Sequence, residues 1–216
     1  MSASPQELVF TAPFDETDFS AGNNAGSIKV DGVIKGIKVF RESLFVFCED
    51  SIFKITGSSL SDFAVVPVTR RIGCVDGFSI QEISGDIVYL APDGLRTIAG
   101  TERIGDVELG TVSKTIQPRL DNIDTDRISS LVIRGKTQYR LFFPDDSGTA
   151  SSQPGIIGTI KARVEGGGIG WEYADLKGIK PACCASGFIS GTETVLHGGY
   201  DGYIYKQESG NTFDGT

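Results

Sequence analysis

The sequence predicts an all-β fold that is β-propeller-like, with about four blades, each a four-stranded antiparallel sheet. Three observations predict this fold: short apolar runs, a glycine content of 28 in 216 residues, and hairpin-like segments that recur along the chain. Apolar runs of four or five residues between turn formers are typical of strands. The length favours one such domain over residues 1–216.

The strand signal lies in short runs rich in β-branched and aromatic residues. Turn formers separate them, as in Pro92-Asp93-Gly94 and Asp201-Gly202. A helical spacing over residues 112–120 is interrupted by Pro118, so we expect one short helix near residues 118–123. The runs cover residues 44–48, 87–91, 131–133, 139–143, 156–157 and 194–196.

The hairpins repeat. Residues 44–57 and 87–100 share a strand, a turn with aspartate, a second strand and a glycine, and both the aspartates and the glycines lie 43 residues apart. Weaker copies begin at Tyr139 and Val195. Such a period matches propeller blades of about 40–50 residues, which build a core only by stacking. Either the ring closes through a strand near residues 8–10, or the sequence is a fragment of a longer protein.

The charge of the chain argues against tight binding to nucleic acid. Lys and Arg number 20, Asp and Glu number 28, and the net charge is −8. Nucleic-acid-binding proteins carry a basic surface, and this sequence shows none. The isolated basic pair Arg70-Arg71 fits either a solvated turn or a contact with a partner. DNA could pass nearby without binding. No apolar run reaches the ~20 residues of a membrane helix, and the N-terminus lacks a secretory signal, so we expect no membrane partner.

The four cysteines are predicted to be buried free thiols in a reducing compartment, with disulfides as the alternative. They are Cys48, Cys74, Cys183 and Cys184. His197 is the only histidine, and we expect it to be structural rather than functional.

No catalytic, cofactor-binding or metal-binding residue is assigned from the sequence. Asp121, Asp124 and Asp126 form an acidic group that fits a helix end and a solvated loop, with a weak cation site as the alternative, since the spacing departs from that of a calcium loop. Three aspartates recur at equivalent hairpin positions and are predicted to cap turns: Asp50, Asp93 and Asp201.

Two aromatic groups allow a structural and a functional interpretation. Trp171 and Tyr173 suit packing against a neighbouring blade, or a platform on which a sugar ring stacks. Tyr200, Tyr203 and Tyr205 alternate with polar residues, as in a half-buried strand.

Several segments resemble the blade signature of propeller-bearing tail proteins of tailed bacteriophages, the nozzle or tail-tube component below the portal and adaptor in short-tailed phages. The resemblance covers residues 8–125 best. It is carried by residues 14–20, 39–47, 51–57, 63–67, 72–75 and 85–95.

The resemblance implies a structural virion protein without catalysis and without cofactors. It implies a ring of identical subunits, a hexamer, that contacts other tail components such as the adaptor and surrounds a channel for the genome. The protein would assemble in the host cytoplasm and reside in the virion tail. A like-charged channel wall would let duplex DNA slide past.

Two other functions stay open at this point. A carbohydrate-binding or adhesion propeller is suggested by Trp171 and by the tyrosines of residues 200–205. A propeller enzyme, such as a lyase or glycosidase, would need two carboxylates about 5–10 Å apart in one cleft.

Overall fold

The computed structural model describes residues 4–59, 61–99, 112–121, 123, 128–143, 155–162, 169–176, 179 and 181–209. These residues are mostly in β-strands, and every strand pairing is antiparallel. The expected all-β class is therefore confirmed.

The strands form an N-terminal pair and four further sheets, each a meander of sequential neighbours. The N-terminal pair consists of β1 (Glu7–Phe10) and β2 (Gly26–Lys29). Sheet 1 holds β3 (Ile34–Phe40), β4 (Ser43–Cys48), β5 (Ile52–Thr56) and β6 (Ala64–Thr69); sheet 2 holds β7 (Gln81–Ile83), β8 (Asp86–Ala91) and β9 (Gly94–Thr97); sheet 3 holds β10 (Ser129–Ile133), β11 (Gln138–Phe142), β12 (Gly155–Ala162) and β13 (Ile169–Leu176); sheet 4 holds β14 (Pro181–Ile189), β15 (Thr192–Gly199) and β16 (Ile204–Gln207).

The repeat predicted from the sequence joins the second and third strands of a sheet. The hairpin that joins the first and second strands repeats as clearly. In sheets 1, 2 and 4 two residues with positive φ join the first two strands: Arg41-Glu42, Ser84-Gly85 and Ser190-Gly191. Two consecutive positive φ values define the type I′ turn, whose twist matches that of the flanking strands. Sheets 1 and 2 carry this turn 43 residues apart, the offset seen in the sequence.

The hydrophobic core is divided among consecutive sheets. One cluster joins sheet 1 to sheet 2, with the Phe47 and Tyr89 rings 5.2 Å apart. A second joins sheet 2 to sheet 3 and includes Leu90 and Leu141. A third joins sheets 3 and 4 through Val195, and a fourth packs the N-terminal pair on the outer side of sheet 1. The sheets thus form a stack in chain order.

The first strands of successive sheets lie side by side. β10 neighbours both β7 and β14. Polar side chains link these strands: Gln81 Nε2 donates to the Ser130 carbonyl at 3.0 Å, and Ser186 Oγ donates to the Val132 carbonyl at 2.5 Å. Such bonds satisfy backbone polar groups at strand edges where no neighbouring strand of the same sheet provides a partner.

The finer expectations are met only in part. Sheets 1 and 3 have four strands, whereas sheets 2 and 4 have three within the described residues. A short α-helix, α1 (Gln117–Leu120), begins and ends earlier than expected, with Pro118 in its first turn. The strand near residues 8–10 pairs with β2 and packs on sheet 1 rather than on sheet 4. The described residues do not show a closed ring.

Candidate functional site

The three turn aspartates bind within their own hairpins. Asp201 accepts hydrogen bonds from the Tyr203 amide at 3.2 Å and from the Tyr205 hydroxyl at 2.5 Å, and these bonds lower its pKa. Asp93 accepts from Arg96 Nε at 2.8 Å. Asp50 accepts from the neighbouring Ser51 hydroxyl at 3.1 Å. Asp201 therefore caps its turn as predicted, whereas these bonds to Asp93 and Asp50 come from side chains and leave their role as turn caps a prediction.

His197 lies half-buried in sheet 4. Its ring stacks on Tyr205 with the centroids 5.1 Å apart, and Nδ1 lies 3.2 Å from the amide nitrogen of Gln207. Burial lowers the pKa of His197, although the nearby Asp201 opposes this effect. The imidazole is therefore neutral at pH 7, and its contacts agree with the expected structural role.

Arg140 forms the main polar junction between sheets 3 and 4. Its side chain is 5 % exposed, Nη1 donates to Gln207 Oε1 at 2.8 Å, and Nη2 donates to Gln138 Oε1 at 3.1 Å and to the Glu208 carboxylate. Lys136 also reaches the carboxylate of Glu208. Burial alone would raise the pKa of Glu208, but the hydrogen bonds and charges of these two cations outweigh it and lower the pKa.

This junction was not singled out from the sequence, although one signal for it exists. Arg140 interrupts the apolar run at residues 139–143, and a charged residue in a buried strand requires a partner. A second junction contact lies nearby, where the backbone N–H groups of Arg134 and Gly135 donate to the Glu193 carboxylate at 2.6 and 2.9 Å.

Trp171 and Tyr173 pack into the stack. Their rings stack on each other, 6.0 Å apart and 11° from parallel, and both contact the core cluster between sheets 2 and 3. The Tyr173 hydroxyl donates to the Val112 carbonyl at 3.0 Å. This is the core-packing alternative, and it occupies the rings that a sugar platform would need.

The tyrosines of sheet 4 differ from the expected strand. β16 begins at Ile204, so Tyr200 and Tyr203 lie in the turn before it, and Tyr205 alone stands in the strand. Tyr203 is 69 % exposed. The alternation of tyrosines with polar residues therefore marks a turn capped by Asp201. A turn and a strand both direct successive side chains differently, so the same alternation fits either one.

A groove of about 500 Å³ lies between sheets 1 and 2. Charged side chains of both signs line it, Lys35 beside Glu49 and Asp76, with the exposed Phe78 ring at one wall. Cys74 also contributes, but burial raises its pKa to about 11, so its thiol is protonated at neutral pH. The groove therefore has no activated nucleophile in Cys74.

The cysteines are free thiols, as expected, but not all are buried. Cys48 and Cys74 are buried, Cys184 is half-buried, and Cys183 is exposed. The expectation was wrong for Cys183 because adjacent residues of a strand point to opposite sides. Cys184 contacts Ser129 in the core of sheets 3 and 4, and Cys183 therefore faces the opposite side.

Two of the remaining polar candidates, Asp121 and Arg70, are exposed to solvent. Asp121 follows α1 and accepts a hydrogen bond from Gln117 at 2.8 Å, whereas Asp124 and Asp126 lie outside the described residues. Arg70 lies in the turn after β6, 3.9 Å from the Asp31 carboxylate. Within the described ranges, no three His, Cys, Asp or Glu side chains are grouped closely enough to hold a metal ion.

No protein-family model matches the chain, and no curated protein shows significant similarity to it. In the part of the chain that the structure describes, no helix is both long and apolar enough to cross a membrane.

Proposed function

We propose that this chain is a structural subunit of a phage tail and forms part of the nozzle or tube through which the genome passes. The observation that carries the proposal is the stack itself: sheets pack face to face in chain order, and among the described residues the side of sheet 4 that faces away from sheet 3 is exposed. An exposed apolar sheet face of this kind is suited to contact with another molecule.

Two further features support the proposal. Three of the segments that resemble phage tail proteins fall on the hairpins of sheets 1 and 2. Residues 39–47 and 51–57 run from the end of β3 past β5, and residues 85–95 cover β8 and the start of β9. The net charge of −8 suits a wall past which duplex DNA slides without binding.

The first test is the native mass of the purified chain. We expect light scattering to give an assembly of about six copies, and negative-stain images to show a ring with a central channel, for the chain alone or after mixing with adaptor and other tail components of the same phage. A retardation assay with duplex DNA at physiological salt should show no binding. A monomer that joins no such assembly contradicts the proposal.

The carbohydrate-binding alternative now depends on the exposed tyrosines of sheet 4, because Trp171 is engaged in the core. Exposed aromatic rings near a carboxylate suit sugar recognition. The Tyr205 hydroxyl donates to the Asp201 carboxylate, and the exposed Tyr203 ring lies 6.5 Å from the Tyr205 ring. A glycan array probed with the wild-type chain and with Tyr203→Ala tests it. Signals that Tyr203→Ala abolishes would favour an adhesion module, and an array without signals would exclude it.

A further inference from the structure

The side of sheet 4 that faces away from sheet 3 is an open, apolar surface. Val195 packs against sheet 3, so alternate residues of β15 and their partners in β14 and β16 point the other way. Ile204 is 77 % exposed there, and a Cβ added to Gly187 would meet nothing within 4 Å. We call this surface the outer face of sheet 4; its main residues are Cys183, Ala185, Gly187, Leu196, Gly198 and Ile204.

At the other end of the chain, the loop of residues 11–25 between β1 and β2 presents an aromatic ring. Phe14 is fully exposed and has a φ of 65°, which is rare for a bulky side chain and strains the backbone. The loop is nevertheless held firmly. Asp15 accepts from the amide and hydroxyl of Thr17 at 3.0 and 2.7 Å, and Asp18 accepts from Asn23 at 2.6 Å.

A rigid loop with an exposed aromatic side chain is suited to binding another protein. Aromatic rings are the most frequent anchors of protein interfaces, and a loop that is already ordered loses little entropy when it binds. Phe19 in the same loop and Val9 in β1 are also about half exposed.

The loop and the outer face of sheet 4 carry opposite charges. Asp15, Glu16 and Asp18 make the loop acidic, and residues 4–28 contain no Lys or Arg. On the outer face, Lys206 is the one charged residue among the described positions that share its side of the sheet. Charges of this kind orient two partners as they meet, while the apolar contact supplies most of the affinity.

We propose that the loop of residues 11–25 docks on the outer face of sheet 4 of a second copy of this chain, with Phe14 as the anchor. The proposal rests on the self-assembly in the proposed function and names its contact. Within the described residues each copy carries this loop beside sheet 1 and this face on sheet 4, and because the two are different surfaces, the contact is head-to-tail. Contacts of this kind close into rings when the rotation between subunits permits.

The first test compares two exposed phenylalanines. Phe14→Ser removes the proposed anchor, whereas Phe78→Ser removes a ring that is 75 % exposed at the groove between sheets 1 and 2. In sedimentation equilibrium, we expect Phe14→Ser to weaken self-association about tenfold or more, the effect of losing an interface anchor. Phe78→Ser should associate as the wild type does.

The second test uses the head-to-tail geometry. Gly187→Arg blocks the outer face while leaving the loop intact, and its side chain enters open space, so the fold should persist. At a concentration between the dissociation constants of the wild type and of the variants, each variant alone should be monomeric. An equimolar mixture of Phe14→Ser and Gly187→Arg should contain one-to-one dimers and nothing larger, since one loop and one face remain available. Thermal melting at the wild-type temperature verifies that both variants fold.

The third test locates the contact by cross-linking. Cys183 is an exposed thiol on the outer face, and a Phe14→Cys variant places a second thiol in the loop. Because this variant lacks the Phe14 ring, it is tested at a concentration at which its weakened association still populates the contact. With oxidised glutathione as the electron acceptor, we expect a disulfide between copies, identified by mass spectrometry as a peptide pair joining positions 14 and 183. Adding Cys183→Ser should abolish that pair.

The outcomes separate the docking contact from the proposed function. Wild-type assembly that persists in Phe14→Ser, with no link between positions 14 and 183, overturns the docking contact and leaves the ring intact. A wild-type chain that stays monomeric at every concentration overturns both. If Gly187→Arg abolishes binding to another tail component but not self-association, the outer face belongs to that component and the second copy is the wrong occupant.

Discussion

Arg140 lies inside an apolar strand because sheet 4 supplies its partners. A buried guanidinium is tolerated only where charge and hydrogen bonds compensate the loss of water, and here Gln207, Gln138 and Glu208 do so. The last sheet is thus held to sheet 3 by an ionic junction beside the cluster around Val195. Arg140 is the residue on which this junction depends.

Arg140→Ala should lower the free energy of unfolding by roughly 2 kcal/mol, less than the loss of a fully buried ion pair costs, because Glu208 is 31 % exposed. Arg119→Ala is the matched control: its ion pair with Asp175 joins two side chains that are 50 % and 40 % exposed, and should contribute at most about 0.5 kcal/mol. Urea denaturation of the three proteins measures both values. Equal effects would mean that the junction is not a stabilising contact.

His197 should make stability depend on pH near neutrality. Its pKa in the folded chain lies below the usual 6.5, so the unfolded chain takes up this proton first as the pH falls. Stability is therefore lost below about pH 6.5. The carboxylates with lowered pKa values, such as Glu208, begin to lose their contribution only near pH 4.5 or below. We expect the urea midpoint to fall between pH 7.5 and 5.5 and His197→Gln to reduce that fall; an unchanged slope in this variant would contradict the assignment.

The segment between β6 and β7 works as a connector that binds two sheets at once. The Cys74 amide donates to the Cys48 carbonyl at 2.8 Å in sheet 1, and the Val75 amide donates to the Leu90 carbonyl at 2.9 Å in sheet 2. This close approach requires glycine at position 73, because a Cβ there would overlap the Glu49 backbone.

Gly73→Ala should consequently destabilise the fold by about 2 kcal/mol or more, since the connector must move away from the turn between β4 and β5. Gly187→Ala is the control within a strand: its Cβ meets nothing, and the substitution should be neutral or stabilising by up to about 1 kcal/mol. Melting temperatures of both variants, measured below the concentration of self-association, test the difference. A tolerated alanine at position 73 would show that the connector can shift.

Elements were predictable where one local pattern decides the structure. The runs at residues 44–48 and 87–91 are strands that are buried on both faces, which leaves an uninterrupted apolar signal, and in the run at residues 139–143 only Arg140 breaks that signal. The turn at Tyr200 and Tyr203 could not be predicted, because alternation of aromatic and polar residues does not distinguish a strand from a capped turn. The contact of Arg140 with Glu208 spans 68 residues, a separation at which no local pattern identifies partners.

At the scale of the molecule, the repeat in the sequence corresponds to a repeated hairpin in the structure. The expected closure of the sheets into a ring is not seen in the described residues. The 43-residue offset corresponds to the successive hairpins of sheets 1 and 2, since in both sheets the same two-residue turn joins the first two strands. Whether a stack closes depends on the small rotation between neighbouring sheets and on contacts between molecules. Residues such as Phe14 and Ile204 show their exposure only once the chain is folded.

The stack also predicts an uneven distribution of stability. Sheets 2 and 3 are covered on both faces by apolar clusters, whereas sheet 4 contacts the stack through one smaller cluster and the Arg140 junction. In a linear array, terminal units open more easily than internal ones. In hydrogen–deuterium exchange of the dilute chain, amides of β14–β16 should exchange at least about tenfold faster than those of β8.

At concentrations where the wild type assembles, exchange in β14–β16 should slow, while Phe14→Ser should keep the fast rate. Equal protection of β8 and β15 in the dilute chain would contradict this gradient, and an unchanged rate in β14–β16 on assembly would show that the subunits meet elsewhere.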